Sequence, residues 1–461
     1  MGGTDRPQSF PHPPWNPPQL GLALNNSSSW YVKKPYLHFD LPWGEARAKK
    51  YVTNAKKVIR HPFYPFLRYD LVTPRVGIQP QGSSPIAPND KHRQISYPAH
   101  KDGYIFSYYK SQLEPKYETW LAANELTEAV TAFRSTGKNN IALAKEAFKF
   151  VAQSGDCDIY VTDVASFFDT IDHVVLKDKW ARQLEEQELP EDHYAVFKAL
   201  TRYSYVERHK VYNLFRIPLN TIPNKKLVKR ICTPEQFRSK VLGRTPNLIH
   251  PGAINGIGIP QGSSLSPLLS NIYMADLDLA MNELASSLGG KYWRYCDDIL
   301  IVVPQGKLST IEPEMDRQLK TLILKRHPDK THKLKSQNLS TRPLQYLGLV
   351  FDGSHIAVRP SSIQRNHRKL KKAIQATRFR RERETEKSGK KAPLRRQALY
   401  NMYSELPTRG KKILKINSRK KYTGNFINYL RQAEESFGSK RIQKQRTRLQ
   451  RRFWNVVRKH I

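Results

Sequence analysis

Cysteine is nearly absent from this chain: Cys157, Cys232 and Cys296 are the only three in 461 residues. An odd number at wide spacings argues against a disulfide framework or a zinc module, and a reducing cytoplasm fits. Long apolar runs are missing as well. No stretch approaches the roughly 20 residues that a membrane helix needs. The amino-terminal residues also lack a charged start followed by an apolar run, so neither a membrane partner nor a secretory signal is expected. Acidic residues are scarce beside basic ones, with 40 Asp and Glu against 78 Lys and Arg, for a net charge of +38. The imbalance is uneven. Residues 361–461 carry 31 Lys and Arg against 6 Asp and Glu, whereas the first 360 carry 47 against 34. Such a charge repels itself unless a polyanion neutralises it. Nucleic acid is the polyanion favoured, because its phosphates release condensed counterions when they are paired. A generic basic surface and an anionic membrane face are the alternatives.

What the chain does contain divides it along its length. At roughly 150 residues per domain, three domains or lobes are expected. Pro7, Pro11, Pro13, Pro14, Pro17 and Pro18 preclude a helix near the start and predict an extended arm over residues 1–40. From Pro35 to Arg75 aromatic and basic residues alternate without a clean period, and residues 77–90, rich in Gly, Pro and Ser, read as a loop. Helical patterning runs from Tyr108 to Gln153, with Ile141, Ala144, Phe148 and Val151 at helical spacing. Asp158-Ile-Tyr-Val-Thr-Asp163 reads as a short buried strand. Residues 174–215 read as helical and 216–250 as a basic, proline-containing insertion. A turn at Pro260-Gln-Gly-Ser-Ser264 leads into a helix with Leu265, Leu268, Leu269 and Ile272 on one face, and Pro267 sits where a first turn tolerates it. Tyr292–Val303 reads as a hairpin and Leu344–Phe351 as another strand. Beyond residue 360 the chain is basic and helical, broken at Ser388-Gly389, at Pro393 and near Pro407, with Phe426, Leu430, Ala433 and Phe437 marking one buried face. This order predicts an α+β fold.

Three segments carry chemistry. In Tyr295-Cys296-Asp297-Asp298, adjacent carboxylates lie between two apolar strands, which is costly near a core. A divalent cation removes that cost, and magnesium prefers carboxylate oxygens while keeping positions for water and phosphate. Alone, the pair is a weak signal that reads first as an ordinary surface hairpin turn. Asp163 ends an apolar strand in Asp163-Val-Ala-Ser-Phe-Phe-Asp169. Phosphoryl transfer uses two cations about 4 Å apart, and a strand-end Asp facing a hairpin Asp pair is a suitable cage. The ordinary alternative is a helix N-cap, a role that Asp169 and Asp172 fit better. In Gly258-Ile-Pro-Gln-Gly-Ser-Ser-Leu-Ser-Pro267, Gly262 lets the backbone approach a ligand closely beside the amide of Gln261. The helix that follows favours phosphate at its start, although a capped loop-to-helix junction has the same appearance.

Taken in chain order, the segments at Asp163–Asp169, Gly258–Pro267 and Tyr295–Asp298 resemble motifs A, B and C of reverse transcriptases. Pro328-Asp-Lys-Thr331 is similar to the motif D lysine region, and Leu344-Gln-Tyr-Leu-Gly-Leu349 resembles the motif E primer grip. The resemblance covers roughly residues 90–355. It implies a right-hand polymerase fold of α+β class: fingers over 41–155, a palm with a ferredoxin-like sheet over 156–205 and 251–355, a basic insertion near the fingers over 206–250, and a basic helical thumb over 356–461. It implies an RNA-directed DNA polymerase using two Mg2+ ions, with Mn2+ as the alternative. Asp163 and Asp297 would be the main ligands, Asp298 would support them, and the carbonyl of Val164 would be a further ligand. Phe168 matches the steric gate that excludes a ribose 2′-hydroxyl. Gln261 and Gly262 would line the nucleotide pocket, Lys330 would protonate departing pyrophosphate, and Tyr346, Leu347 and Gly348 would form the primer grip. Arg93 is the expected triphosphate-gripping residue of the fingers, because its fork can bind phosphate bidentately. Arg134 is second, and a scaffold salt bridge is the alternative for both. In the thumb, Tyr422, Tyr429, Phe453 and Trp454 among basic residues could stack bases. The implied partners are an RNA template, a DNA product and deoxynucleoside triphosphates, with a homo-oligomer left open.

The local wording narrows the resemblance. Arg93-Gln-Ile-Ser-Tyr-Pro-Ala-His-Lys-Asp-Gly-Tyr-Ile-Phe-Ser-Tyr-Tyr109, Phe133-Arg134 with Asn139-Asn140, and Gly424-Asn-Phe-Ile-Asn-Tyr429 resemble the bacterial unknown-group and abortive-infection reverse transcriptases. That implies antiphage defence with an associated structured non-coding RNA. Pro-Gln in motif B departs from the Ser-Gln of diversity-generating retroelements, and the Val-Thr-Gly thumb motif of retron enzymes is absent. Three rivals share these residues: an untemplated or protein-primed DNA polymerase, an RNA-binding scaffold of maturase kind, and an RNA-making polymerase.

Overall fold

A computed structural model of the chain describes residues 30–73, 91–219, 221, 228–243, 247–390, 392–393, 396–405 and 425–460. The proline-rich arm up to residue 29, the loop at 77–90, the break near Pro407, and Tyr422 and Gly424 lie outside the described residues. Two compact units account for the rest. One comprises residues 135–159 and 334 onward, the other residues up to 134 and 160–333.

The larger unit holds one four-stranded sheet and most of a second. In the first, β1 (Phe66–Thr73) pairs antiparallel with β2 (Lys91–Tyr97) and parallel with β4 (Ser204–Glu207), and β4 pairs with β5 (His250–Pro251). Residues 204–207 are therefore strand, where sequence patterning predicts helix. The edge of a sheet recruits them, and Val206 is buried beside β1. The second sheet has the order β6-β7-β3-β8, with β3 Cys157–Asp163, β6 Lys291–Tyr295, β7 Asp298–Pro304 and β8 His332–Lys335. Ile299 to Val303 are all buried, as expected of an inner strand covered on both faces. The helices Ser266–Tyr273 and Ala275–Ser287 contribute Leu268, Leu269, Ile272, Leu277 and Met281 to the same core.

The long helix His100–Ala123 starts against a carboxylate. Asp40 accepts from the backbone N–H groups of His100 and Lys101, at 2.9 Å each, which satisfies donors that a helix start leaves unpaired. Asp172 does the same for the helix His173–Leu184, accepting from Val174 and Val175.

In the smaller unit, Asn139 caps the helix Asn140–Gln153, and Ile141, Ala144, Phe148 and Val151 are buried, as their spacing predicts. Phe148 stacks on Phe351, with ring centroids 5.3 Å apart. Leu344–Phe351 is not one strand. It is β9 (Leu344–Tyr346) and β10 (Leu349–Phe351), with β11 (Ile356–Val358) completing a three-stranded sheet. Leu347 and Gly348 make the turn between β9 and β10, both at positive φ. The basic residues that follow form the helices Pro360–Ser388, Arg396–Tyr403, Phe426–Phe437 and Lys440–His460. Gly389 ends the first with φ +65°. Phe453 is core rather than exposed, packed with Leu370, Ile374 and Leu399. The hydroxyl of Tyr429 meets the side chain of Asn140. No described helix is long and apolar enough to cross a membrane.

Candidate active site

The site begins with a turn. β6 and β7 pair from Lys291↔Val302 to Tyr295↔Asp298, which leaves Cys296 and Asp297 as a two-residue connection. Cys296 adopts φ +60°, the backbone that the twist of a short hairpin demands and one that costs a non-glycine residue about 1–2 kcal/mol. A buried arginine holds it there. Arg294 and Asp278 are both 0% exposed. The guanidinium donates to both Asp278 carboxylate oxygens at 2.6 Å, to Asn271 Oδ1 at 3.1 Å and to the carbonyl of Cys296 at 3.0 Å. The Tyr292 hydroxyl donates to Asp278 at 2.7 Å, and Asn271 Nδ2 donates to the carbonyl of Ala132 at 2.9 Å. Burial works to lower the arginine's pKa, but the adjoining Asp278 outweighs it and holds the group cationic. Fully satisfied networks of this kind fix one geometry.

Opposite the turn, Asp163 is the last residue of β3. The N–H of Val164 donates to the carbonyl of Asp297 at 3.2 Å, and the carbonyl of Asp163 accepts from the N–H of His327 at 2.7 Å. These bonds seat the strand end between the turn and the segment leading to Lys330. Lys330 Nζ lies 2.7 Å from Asp163 Oδ1, with side chains 34% and 12% exposed. The carboxyl of Asp298 is pushed up to about 7 by desolvation, then by the charges of Asp297 and of Asp163, with which it shares a hydrogen bond. Lys330 opposes the shift. The three expected acids therefore converge, with Lys330 as the cation among them. A carboxylate whose proton affinity is raised by two neighbouring carboxylates belongs to a suitable donor set for a hard dication. Among the described residues no group of three or more His, Cys, Asp and Glu side chains stands in a metal-binding arrangement, so the fit lies in donor chemistry and convergence.

A second cluster adjoins this one. The carbonyl of Phe168 accepts from the N–H of Ile259 at 2.9 Å, and the carbonyl of Gln261 accepts from the N–H of Ser96 at 2.8 Å. Phe168 is half-buried. Gly262 adopts φ +134°, and a Cβ there would stand 2.5 Å from the carbonyl oxygen of Ser96. Only glycine fits that close approach. Asp169 has its pKa raised by burial, against the opposing effects of Arg68 and of a hydrogen bond from Gln261. Arg68 donates to Ser96, Gln94 and Tyr203 and lies over the Tyr205 ring, 3.4 Å from its centroid.

Arg93 is exposed on β2, opposite Leu71. Arg134 is a scaffold residue. Its guanidinium is bonded to Glu118 and to the carbonyls of Thr127 and Val130. Tyr346, Leu347 and Gly348 lie in the smaller unit, where the carbonyl of Leu347 accepts from Asn140 at 3.1 Å. Sequence reasoning missed Arg68, Asn271, Asp278 and Arg294. The available signal was Arg294 itself, a charge inside the otherwise aromatic Tyr292-Trp-Arg-Tyr295, which demands a buried partner.

Residues 223–351 match the family model described as reverse transcriptase (RNA-dependent DNA polymerase). The match takes in Gln261, Gly262, Asp297, Asp298, Lys330 and Tyr346–Gly348, and starts after Asp163 and Phe168. The matched segment is thus similar to a reverse transcriptase domain, and the chain that holds it mixes helices and sheets. No curated protein matches it. Among solved structures, it is similar to an apo telomerase from Candida tropicalis truncated from the C-terminal domain, at 12% identity and TM-score 0.42, covering 59% of this chain and 53% of that one. It is also similar to a telomerase from Candida albicans in complex with a fragment of telomeric RNA, at 14% identity and TM-score 0.37, covering 72% and 55%. The chain thus spans about half the length of the solved chains it matches.

Proposed function

We propose that the chain is an RNA-directed DNA polymerase that extends a primer with deoxynucleotides by two-metal phosphoryl transfer. The observation that carries the reading is the convergence of Asp163 and Asp298, at the ends of two neighbouring strands, with Lys330, beside a segment that matches the reverse transcriptase family over residues 223–351. Asp163, Asp297, Asp298 and the carbonyl of Val164 would hold two divalent ions, magnesium or manganese. Such ions, when bound, stabilise charge on the attacking and leaving oxygens. Lys330 stands where it can give a proton to departing pyrophosphate. Phe168 faces the sugar and excludes a 2′-hydroxyl, while Gln261 and Gly262 line the nucleotide pocket. Arg93, which has no ion-pair partner among the described residues, takes the triphosphate.

The parts follow the right hand. Residues 41–155 are fingers, 156–205 and 251–355 palm, 206–250 an insertion near the fingers, and 356–461 a thumb whose charge grips phosphates. Tyr346–Gly348 serve as primer grip. The motif wording around Arg93–Tyr109 supports placement among bacterial unknown-group and abortive-infection enzymes, acting in the cytoplasm in antiphage defence with a structured non-coding RNA as template.

The test is to purify the protein beside an Asp297→Asn copy and sequence the nucleic acid that travels with each. One discrete RNA with complementary DNA only in the wild type supports the reading. DNA unrelated to any RNA supports an untemplated or protein-primed polymerase, and RNA alone in both supports an RNA-binding scaffold. In extension assays with defined primer and template, Phe168→Val should raise ribonucleotide use at least about tenfold relative to deoxynucleotide use, which is about 1.4 kcal/mol of discrimination. An unchanged ratio removes Phe168 from the gate.

A further inference from the structure

The larger unit has a second groove, of about 850 Å³, lined by residues that include His173, Lys177, Tyr194, Phe197, Arg202 and His250. None of its lining residues is acidic. Its floor is aromatic, with Tyr194 stacked on Phe197 at a centroid separation of 6.1 Å and 15° between planes. Two ammonium groups flank the tyrosine: Lys198 Nζ lies 4.8 Å and Lys177 Nζ 5.4 Å from its ring centroid. Across the groove, His250 lies against Tyr205. Val174, 80% exposed, also lines the groove.

The charges here differ from their neighbours. On the helix His173–Leu184, Lys179 is paired with Asp276 at 2.6 Å and Arg182 with Asp178 at 2.8 Å. Among the described residues, Lys177, Lys198 and Arg202 have no ion-pair partner. Unpaired cations gathered around a half-exposed aromatic ring are the recognition chemistry of a single-stranded nucleic acid, in which phosphates meet the cations and an unstacked base lies on the ring.

We infer that this groove binds a single-stranded stretch of nucleic acid, with Tyr194 as the stacking platform and Lys177, Lys198 and Arg202 as phosphate contacts. Only the identity of that strand as template rests on the polymerase reading; binding itself needs no synthesis.

The probes are a fluorescent thiouridine-containing oligouridylate, its oligothymidylate counterpart and a duplex RNA, titrated into full-length protein over a range of salt. For Lys177→Glu/Lys198→Glu, affinity for the single strand should fall on the order of tenfold. The log–log salt slope should shrink by about 1.4, two phosphates' worth. Tyr194→Leu, which keeps apolar bulk, should weaken binding about fivefold or more with the slope unchanged. Photocrosslinks should map to the helix Glu191–Thr201. Lys198 is exposed and Lys177 and Tyr194 are half-buried, and each variant should keep the melting temperature of the wild type. Oligothymidylate binding as well as oligouridylate would assign the groove to single strands of either sugar, and preference for the latter would assign it to RNA. Unchanged affinity and slope in the charge-reversed protein, or duplex RNA competing as well as single strands, overturns the inference. Crosslinks at Glu191–Thr201 without any primer extension would keep this inference and sink the polymerase reading; extension without those crosslinks would do the reverse.

Discussion

Two ion pairs flank the same hairpin turn and differ in almost every respect. Arg294 and Asp278, beneath the turn, are wholly buried and joined through two bonds of 2.6 Å. Lys330 and Asp163, above it, are joined at 2.7 Å but remain 34% and 12% exposed. The lower pair has its other polar atoms occupied by Asn271, Tyr292 and the carbonyl of Cys296, so nothing is left to offer a ligand. The upper pair faces an unfavourable cluster of acids, and a dication would repel Lys330 from Asp163 as it bound. On the proposed function, one pair would fix where the carboxylates stand, and the other would stand in for charge that substrate and metal bring. Burial, not distance, separates these roles.

The largest effect expected from breaking this division is on chemistry. Asp297→Asn or Asp163→Asn should lower primer extension on the order of a thousandfold or more and leave the melting temperature near that of the wild type, because neither residue is part of the buried network. Extension retained in metal-supplied protein would remove the acids from the reaction. The next largest effect is on the fold. Asp278→Ala strands a buried guanidinium and should cost about 3–5 kcal/mol, measured by urea unfolding. The double variant Asp278→Leu/Arg294→Met removes both charges and should recover most of that loss. It still removes the donor to the Cys296 carbonyl, so extension should stay depressed while stability returns. Activity that returns in step with stability would mean that the network supports the core without positioning the turn.

The sequence made the upper layer legible and concealed the lower one. Asp163, Asp297 and Asp298 interrupt apolar runs at strand ends, and a carboxylate in such a place needs a reason. Lys330 followed from motif order, and the structure seats it on Asp163. The partner of Arg294 lies 16 residues away on a helix, so only the packing of that helix against β6 reveals the pair. Arg134 had the right residue type for phosphate but is held by Glu118 and two carbonyls, which one-dimensional reading cannot see. Arg68 was hidden in a stretch without period, because strand pairing with Ser96 gives it neighbours. Short strands fared worst: Ser204–Glu207 borrows its conformation from β1, and the turn at Leu347-Gly348 splits what reads as one strand.

The smallest effect on the fold is expected at Lys330. Lys330→Met removes a partly exposed pair, so stability should move by less than about 1 kcal/mol. Removing its charge also leaves the three acids to repel one another, and metal-free protein should register that as weaker resistance to urea than the wild type. If Lys330 serves as a proton donor, single-turnover extension should fall about a hundredfold, and Lys330→Arg, which keeps the charge but rarely gives up a proton, should restore stability without restoring the rate. Equal rates in the Arg and wild-type proteins would assign Lys330 to electrostatic support of Asp163 alone. The upper pair would then be a charge balance like the lower one, differing only in its exposure to water.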